Sequence, residues 1–361
     1  MLILVINPGS TSTKIAVYED RRSLFVTTLR HSVEELAPFK NIVEQFDFRK
    51  GEILKALNTN NIDFSSLDAV IGRGGLIKPI PSGVYRVNHS MLEDCRIGFM
   101  GEHACNLGAI IAQSIADEIK AKNGKVIPTL IADPTVVDEL EDVARISGHA
   151  LIERTSVFHA LNQKAIAKRY AKENSLNYND LNLIVVHLGG GVSVGIHKKG
   201  KVVDVNNALH GEGPFSPERA GGLPTWGVID LCFSGNYSKN EVIKLLTGKG
   251  GVVSYTGTNS FMELEKAVHE GDKKAIAIEK AFSYQIAKEI GSLATVVNGE
   301  VDAILITGGV AHNKGVVDEI AERVKFIASV KVYPGEDEME ALAFNALAAI
   351  NGEEEILEYN F

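Results

Sequence analysis

Arg73 lies among glycines in Gly72-Arg73-Gly74-Gly75, directly after the apolar run of residues 68–71, and Asp133 follows a second apolar run, residues 125–132. An arginine with so little crowding can turn its planar fork to an open cleft and hold a carboxylate by two parallel N–H···O bonds. The competing reading is an ordinary surface turn. A carboxylate just beyond the carboxyl end of a strand sits where α/β sheets hold ligand groups, although Asp133-Pro134 is also a common turn pair. Two histidines are further candidates: His103 in Gly101-Glu102-His103-Ala104, and His159 in Ser156-Val157-Phe158-His159. Each opens a helical stretch, so each is either a site residue or part of the helix start.

Three turns of small residues suit phosphate oxygens, because they gather backbone N–H groups and hydroxyls at a sheet edge. They are Asn7-Pro8-Gly9-Ser10-Thr11-Ser12-Thr13-Lys14, Gly189-Gly190-Gly191, and Gly308-Gly309-Val310-Ala311-His312-Asn313. None is a Walker A loop, since no glycine precedes Lys-Ser or Lys-Thr at the required spacing. A dinucleotide fingerprint is also missing near the start of the chain.

The elements that must carry these groups repeat. Leu2-Ile3-Leu4-Val5-Ile6, the first turn and Ile15-Ala16-Val17-Tyr18 form a strand, a turn and a strand, followed by the charged hairpin Glu19-Asp20-Arg21-Arg22. Leu183-Ile184-Val185-Val186-His187, the second turn and Val192-Ser193-Val194-Gly195-Ile196 do the same before Lys198-Lys199-Gly200-Lys201. The chain contains an internal duplication. The third turn follows a strand at residues 302–306 and precedes a helix, so its amides would face a ligand at a helix start. Helical patterns cover residues 34–57 with a break at Pro38, 109–122, a stretch starting at Ser156 and running to about 172, 239–246, 260–269, 273–297 and 338–350. Residues 211–224 form a Gly- and Pro-rich loop too long for a simple connection.

Two halves built on strand-turn-strand loops, with a late Gly-Gly turn, resemble the actin, sugar-kinase and Hsp70 ATPase superfold. More closely, the chain resembles the acetate and butyrate kinase family, its butyrate kinase branch above all, from Val5-Ile6-Asn7-Pro8-Gly9-Ser10 to Glu338-Met339-Glu340-Ala341. The resemblance implies an α/β, duplicated two-domain actin-like ATPase (ribonuclease H-like) fold with mixed sheets and a nucleotide cleft between the domains. Domain I would span residues 1–133 and 341–361, and domain II residues 134–340. The implied activity is reversible, ATP-dependent phosphorylation of a short-chain carboxylic acid such as butyrate or a branched-chain relative. Acetate kinase is the enzyme alternative, and a nucleotide-driven actin- or Hsp70-like ATPase is the alternative from another class.

Residue by residue, the resemblance assigns catalysis to Arg73, Asp133, His159 and Arg219, and the substrate pocket to Gly74, Gly75, His103 and Phe158. ATP would be bound by Ser10, Thr11, Thr13, Lys14, His187, Gly189, Gly190, Gly191, Gly308, Gly309 and Asn313, and Mg²⁺ by Asn7 and Glu338. Three departures stand out. The family places two apolar residues and a His where Gly74-Gly75 follow Arg73 directly, which predicts a larger acyl pocket. Ala160-Leu161-Asn162-Gln163 replaces the Gly-Thr-Ser-His that follows Phe-His in acetate kinases. A second family Arg falls on Thr225 or Trp226, so Arg219 is the candidate to replace it.

Composition agrees. A chain of 361 residues exceeds what one core holds, and 45% hydrophobic residues fill two. A net charge of −9 disfavours nucleic acid and anionic membranes as partners. Cys95, Cys105 and Cys232 lack metal-ligand spacing and leave one unpaired, which fits a reducing cytoplasm. No signal sequence or membrane-spanning run is apparent. A homo-oligomer, a small acid and ATP/ADP are the expected partners.

Overall fold

The computed structural model describes residues 1–361. Its strands are β1 Leu2–Gly9, β2 Ser12–Glu19, β3 Arg22–Arg30, β4 Ala69–Arg73, β5 Val84–Arg86, β6 Thr129–Ala132, β7 Ile146–His149, β8 Ile152–Glu153, β9 Asn182–Leu188, β10 Val192–Lys198, β11 Lys201–Val205, β12 Ala303–Gly308, β13 Val330–Pro334 and β14 Ile356–Leu357. The chain divides into two compact units: unit 1 is Met1–Val137 with Asp337–Phe361, and unit 2 is Asp138–Glu336.

Unit 1 is built on a seven-stranded sheet of order β14-β5-β6-β4-β1-β2-β3. β1, β2 and β3 are antiparallel, while β1, β4 and β6 run parallel. Side chains alternate across a strand, and both faces of β1 and β2 are covered. Leu4, Ile6, Ile15 and Val17 pack on Ile53 and Leu57 of the helix Phe46–Thr59. The opposite face carries the helix Glu338–Ile350, which lies against β1, β4 and β6. The helix Asn106–Asn123 also packs on β4, so closely that a Cβ at Gly72 would lie 2.4 Å from the Gly108 carbonyl.

Unit 2 repeats the arrangement in a five-stranded sheet, β11-β10-β9-β12-β13. Its first three strands are antiparallel, and β9, β12 and β13 are parallel. One face packs on the helix Lys273–Ala294 through Ile184, Val186, Leu188, Val192 and Val194. The other packs on the helix Ala160–Glu173 through Leu183 and Val185.

Three element expectations need correction. The strand expected over residues 125–132 starts at Thr129, because Pro128 has no N–H to give the ladder. The helix expected from Ser156 starts at Ala160, since His159 has φ −82° and ψ 59° and serves as its N-cap residue. Residues 34–57 are a short turn of helix at Val33–Leu36, a 3-10 turn at Val43–Gln45 and the helix Phe46–Thr59. The loop of residues 211–224 ends where the helix Thr225–Phe233 begins.

Candidate active site

Unit 1 brings four of the expected residues to one end of its sheet. The parallel register pairs Ile6 with Gly72 and Arg73 with Ala132. Asn7, Arg73 and Asp133 therefore sit side by side at or just past the carboxyl ends of β1, β4 and β6. Glu338 opens the helix laid across those strands, where a carboxylate is favoured by the helix N-terminus. Its Oε2 accepts a hydrogen bond of 2.7 Å from Asn7 Nδ2, and its Oε1 forms an ion pair with Arg73.

Asp133 is buried and has φ 40°, a left-handed conformation that Asp tolerates better than most residues. Its Oδ1 accepts from Ser82 Oγ at 2.7 Å and from the Gly83 N–H at 2.9 Å. These bonds hold the carboxylate in place.

The first turn divides by pleat parity. Asn7 and Lys14 are register partners and share a face, the face of Glu338. Lys14 is half-buried and forms no ion pair, while Ser10 and Thr11 are exposed. Thr13 lies on the opposite face with Pro8 and is fully buried. Its hydroxyl accepts from Arg49 at 3.0 Å and meets His31 Nε2 at 2.9 Å. Thr13 was expected to touch ATP; the alternation of the strand turns it inward, where it supports the turn from behind.

Gly74 and Gly75 do not open an acyl pocket, contrary to expectation. Both are buried, and the space beside them is filled. A Cβ at Gly74 would lie 2.5 Å from Pro134 Cβ, and one at Gly75 would lie 2.9 Å from Asn106 Cα and 3.1 Å from Cys95 Sγ. These glycines permit backbone packing around Arg73. Gly74→Ala is expected to cost about 1–3 kcal/mol in urea unfolding, the usual penalty of overpacking, without changing which acids are accepted. A stable variant with altered acid selectivity would restore the pocket reading. His103 is exposed, and its Nδ1 accepts from the Cys105 N–H at 3.2 Å, which closes the turn entering the helix Asn106–Asn123.

Unit 2 assembles a second group. His159 stacks on His187, with ring centroids 3.8 Å apart and planes 14° from parallel. His187 on β9 and Ser193 on β10 are register partners and face the helix Ala160–Glu173, where Asn162 Oδ1 lies 2.8 Å from His187 Nδ1. His187 Nε2 also lies 3.2 Å from Glu336 Oε1.

A chain of hydrogen bonds assigns the proton on His159. The Ser193 carbonyl only accepts, so the amide NH₂ of Gln163 must face it, at 3.1 Å, and the same nitrogen donates to Ser193 Oγ at 2.8 Å. Gln163 Oε1 then receives the Nε2–H of His197 at 3.0 Å, while the Tyr178 hydroxyl donates to His197 Nδ1 at 2.8 Å. Burial, with Lys164 nearby, holds the His197 pKa well below its ordinary value, so this imidazole is neutral. Ser193 is fully buried, and the acceptor for its own hydrogen is His159 Nδ1 at 2.9 Å. His159 therefore carries its proton on Nε2 and acts as a donor.

Arg219 is drawn into the same group. A Cβ at Gly191 would collide with the Arg219 guanidinium and lie 3.1 Å from the His159 ring, so only glycine allows all three to meet. Arg219 Nη1 donates to the Ala208 carbonyl at 2.8 Å, and its buried Nε has no partner. Thr225 and Trp226, the positions matching the second family Arg, instead begin the helix Thr225–Phe233. Phe158 is buried beside His159.

At the third turn, Gly308 has φ 95°, and a Cβ there would strike the Leu188 backbone, whereas Gly309 is exposed with open space above it. The Asn313 side chain is committed to the following helix: Oδ1 caps the Val316 N–H at 2.9 Å and Nδ2 donates to Glu279 at 3.3 Å. It was expected among the ATP contacts and instead holds the turn. Gly189 and Gly190 complete the second turn, with the Gly190 carbonyl accepting from Ser216 Oγ at 2.6 Å.

Sequence reasoning missed Ser193, Asn162, Gln163 and Arg49. The signal for two of them was present, since Asn162 and Gln163 lie three and four residues after His159 and so share its helix face.

Comparison with known proteins gives a consistent picture. Residues 146–343 match a family model described as the Acetokinase family. The chain is 57% identical over 357 residues to butyrate kinase 1 of Clostridium acetobutylicum and 55% identical to butyrate kinase 2 of that organism, covering 99% of this chain and of each relative. Among solved structures it resembles an acetate kinase from Porphyromonas gingivalis, with TM-score 0.76 and 19% identity over 97% of this chain and 99% of that one. It also resembles a propionate kinase from Francisella tularensis, with TM-score 0.73 and 19% identity over 95% and 98%.

Proposed function

Because this chain belongs to the acetokinase family and matches two butyrate kinases over 99% of its length, we propose that it transfers the γ-phosphoryl group of ATP to the carboxylate of butyrate, reversibly, giving butanoyl phosphate and ADP. It is a carboxyl-group phosphotransferase with the actin-like ATPase fold. The observation that carries the choice of acid is the identity of 55–57% to butyrate kinases along 99% of the chain.

The chemistry follows from charge. A carboxylic acid with a pKa near ~4 to 5 is ionised at neutral pH, so its attack needs no general base. The barrier is repulsion between two anions, roughly 4 kcal/mol for unit charges about 4 Å apart at an effective dielectric of ~20. Positioned cations and donors are therefore the catalytic requirement. Arg73 would hold the acid's carboxylate. Lys14 and the amides of the first turn would take phosphate oxygens, and the Nε2–H of His159, with Arg219, would stabilise the charge on the transferring group. Gly189, Gly190 and Gly191 would line the phosphates, and Gly308 and Gly309 the adenosine.

Asn7 and Glu338 offer hard oxygen donors, but no group of three His, Cys, Asp or Glu side chains comes together as a metal site. That fits Mg²⁺ held mostly by water and phosphate oxygens, as this ion prefers. Bound there, it would neutralise β- and γ-phosphate charge. Since Glu338 contacts both Asn7 and Arg73, its loss should weaken the acid and the metal together.

The test is hydroxylamine trapping of acyl phosphate with MgATP and formate, acetate, propionate, butyrate and isobutyrate. A preference for four-carbon acids supports the proposal. Preference for acetate would overturn the choice of acid, and ATP turnover without any acid would favour a nucleotide-driven ATPase.

A homo-oligomer is part of the same reading. None of the nine residues of the helix Thr225–Phe233 is buried, and Trp226 and Phe233 are 77% and 86% exposed. Such an apolar helix on a surface is a contact for another copy. Trp226→Glu with Phe233→Glu is expected to reduce the assembly to monomers in light scattering; an unchanged mass would refute this surface. No helix is long and apolar enough to cross a membrane. We place the protein in the cytoplasm, where ATP is available and free thiols such as Cys95, Cys105 and Cys232 persist.

A further inference from the structure

The helix Phe46–Thr59 carries a cation on its core face. Gln45, Arg49, Ile53 and Leu57, spaced by four, all point inward, and Arg49 is fully buried. Its guanidinium is spent on the first turn from behind. Nη1 donates to the Gly9 carbonyl at 2.8 Å, the Ser12 carbonyl at 2.9 Å and Thr13 Oγ1 at 3.0 Å. Nη2 donates to the Ser10 carbonyl at 3.0 Å, and Nε donates to Gln45 Oε1 at 2.9 Å.

Two consequences follow. In a planar trans peptide the N–H points opposite to the preceding carbonyl. With the Gly9 and Ser10 carbonyls turned to Arg49, the N–H groups of Ser10 and Thr11 point away from it, in the exposed part of the turn. The turn thereby presents two backbone donors on the side away from Arg49, where an anion can be held. Charge is the second consequence. No carboxylate pairs with Arg49, and every partner it has is neutral. Burial pushes its pKa down to about 10, so it remains a cation at neutral pH. A buried charge without a counter-ion is costly, and an anion on the far side of the turn would offset it.

We propose that Arg49 is a positioning residue for the phosphate groups of the nucleotide: it orients the turn of residues 9–13 so that its amides face the anion, and it supplies a buried positive charge behind them. The proposal rests on the assignment of this turn to ATP and is independent of which acid is phosphorylated. It also explains the inward Thr13, whose hydroxyl is one of the acceptors that hold the guanidinium in place.

The test compares binding of ADP and of adenosine, which carries no phosphate, to the full-length protein by calorimetry. Arg49→Met is expected to weaken ADP binding by about 30-fold, the effect of losing charge-assisted hydrogen bonds, and to leave adenosine affinity unchanged. Arg49→Lys, which keeps the charge but not the fork, should lose about fivefold. Equal loss for both ligands, or no loss for ADP in a folded variant, overturns the proposal and leaves Arg49 a structural residue. Should Arg49→Met not fold, Arg49→Lys and Thr13→Val are measured in the same way, with the same selective loss required. If the wild-type protein binds ADP but forms no acyl phosphate, the proposed reaction fails while the Arg49 comparison still reads out.

Discussion

Arg73→Ala should lower kcat/KM for the acid by roughly 10²- to 10⁴-fold, because truncating one partner of a largely desolvated charge pair costs about 3 to 5 kcal/mol. Arg73 and Glu338 have side chains only 16% and 13% exposed, so solvent screens their interaction weakly. The loss has two sources. The acid's carboxylate would lose its bidentate partner, and Glu338, largely shielded from solvent, would be shared only with Asn7. Arg73→Lys restores charge without the planar fork and should recover a minor part. A double-mutant cycle with Glu338→Gln separates the two sources, since the second vanishes when Glu338 is already neutral. Initial rates of hydroxamate formation against acid concentration are the measurement. A variant whose only defect is a higher KM for ATP would move Arg73 from the acid to the nucleotide.

His159→Ala should lower kcat by about 10²- to 10³-fold while the KM values for ATP and acid change little, the pattern for a donor that acts on charge developing in the transition state. The hydrogen-bond chain through Ser193, Gln163, His197 and Tyr178 makes this a donor effect rather than a base effect. His159→Gln, which can place an N–H near the same point, should retain more activity than alanine. Ser193→Ala frees Nδ1 to take the proton and should cost about tenfold, as loss of an orienting partner commonly does. Single-turnover rates with saturating MgATP separate chemistry from product release. An unchanged rate with weakened ATP binding would make His159 a ground-state contact. The long-range ¹⁵N signature of His159 would show directly whether the proton is on Nε2.

What the sequence alone determined is local. Strands covered on both faces must be apolar along their whole length, so the runs at residues 2–6 and 183–187 were legible, and so was their repetition. Asn7, Arg73 and Asp133 could each be placed at a strand end by the small or polar residues that stop an apolar run. The tertiary structure alone decided what meets what. Parallel register sets Asn7, Arg73 and Asp133 in one row, and a helix from the far end of the chain delivers Glu338 to two of them. Packing closed the space beside Gly74 and Gly75, because a missing side chain is an invitation to neighbouring backbone as much as to a ligand. Pleat parity turned Thr13 away from the face of Asn7 and Lys14, which a motif read as a string does not reveal. Arg49 stayed hidden for the converse reason. A lone charge in a helix is usually solvated, and only the carbonyls of a turn forty residues away make burying it tolerable. Spacing along a chain records which residues share an element and a face; distances between elements arise only when the sheets and helices pack.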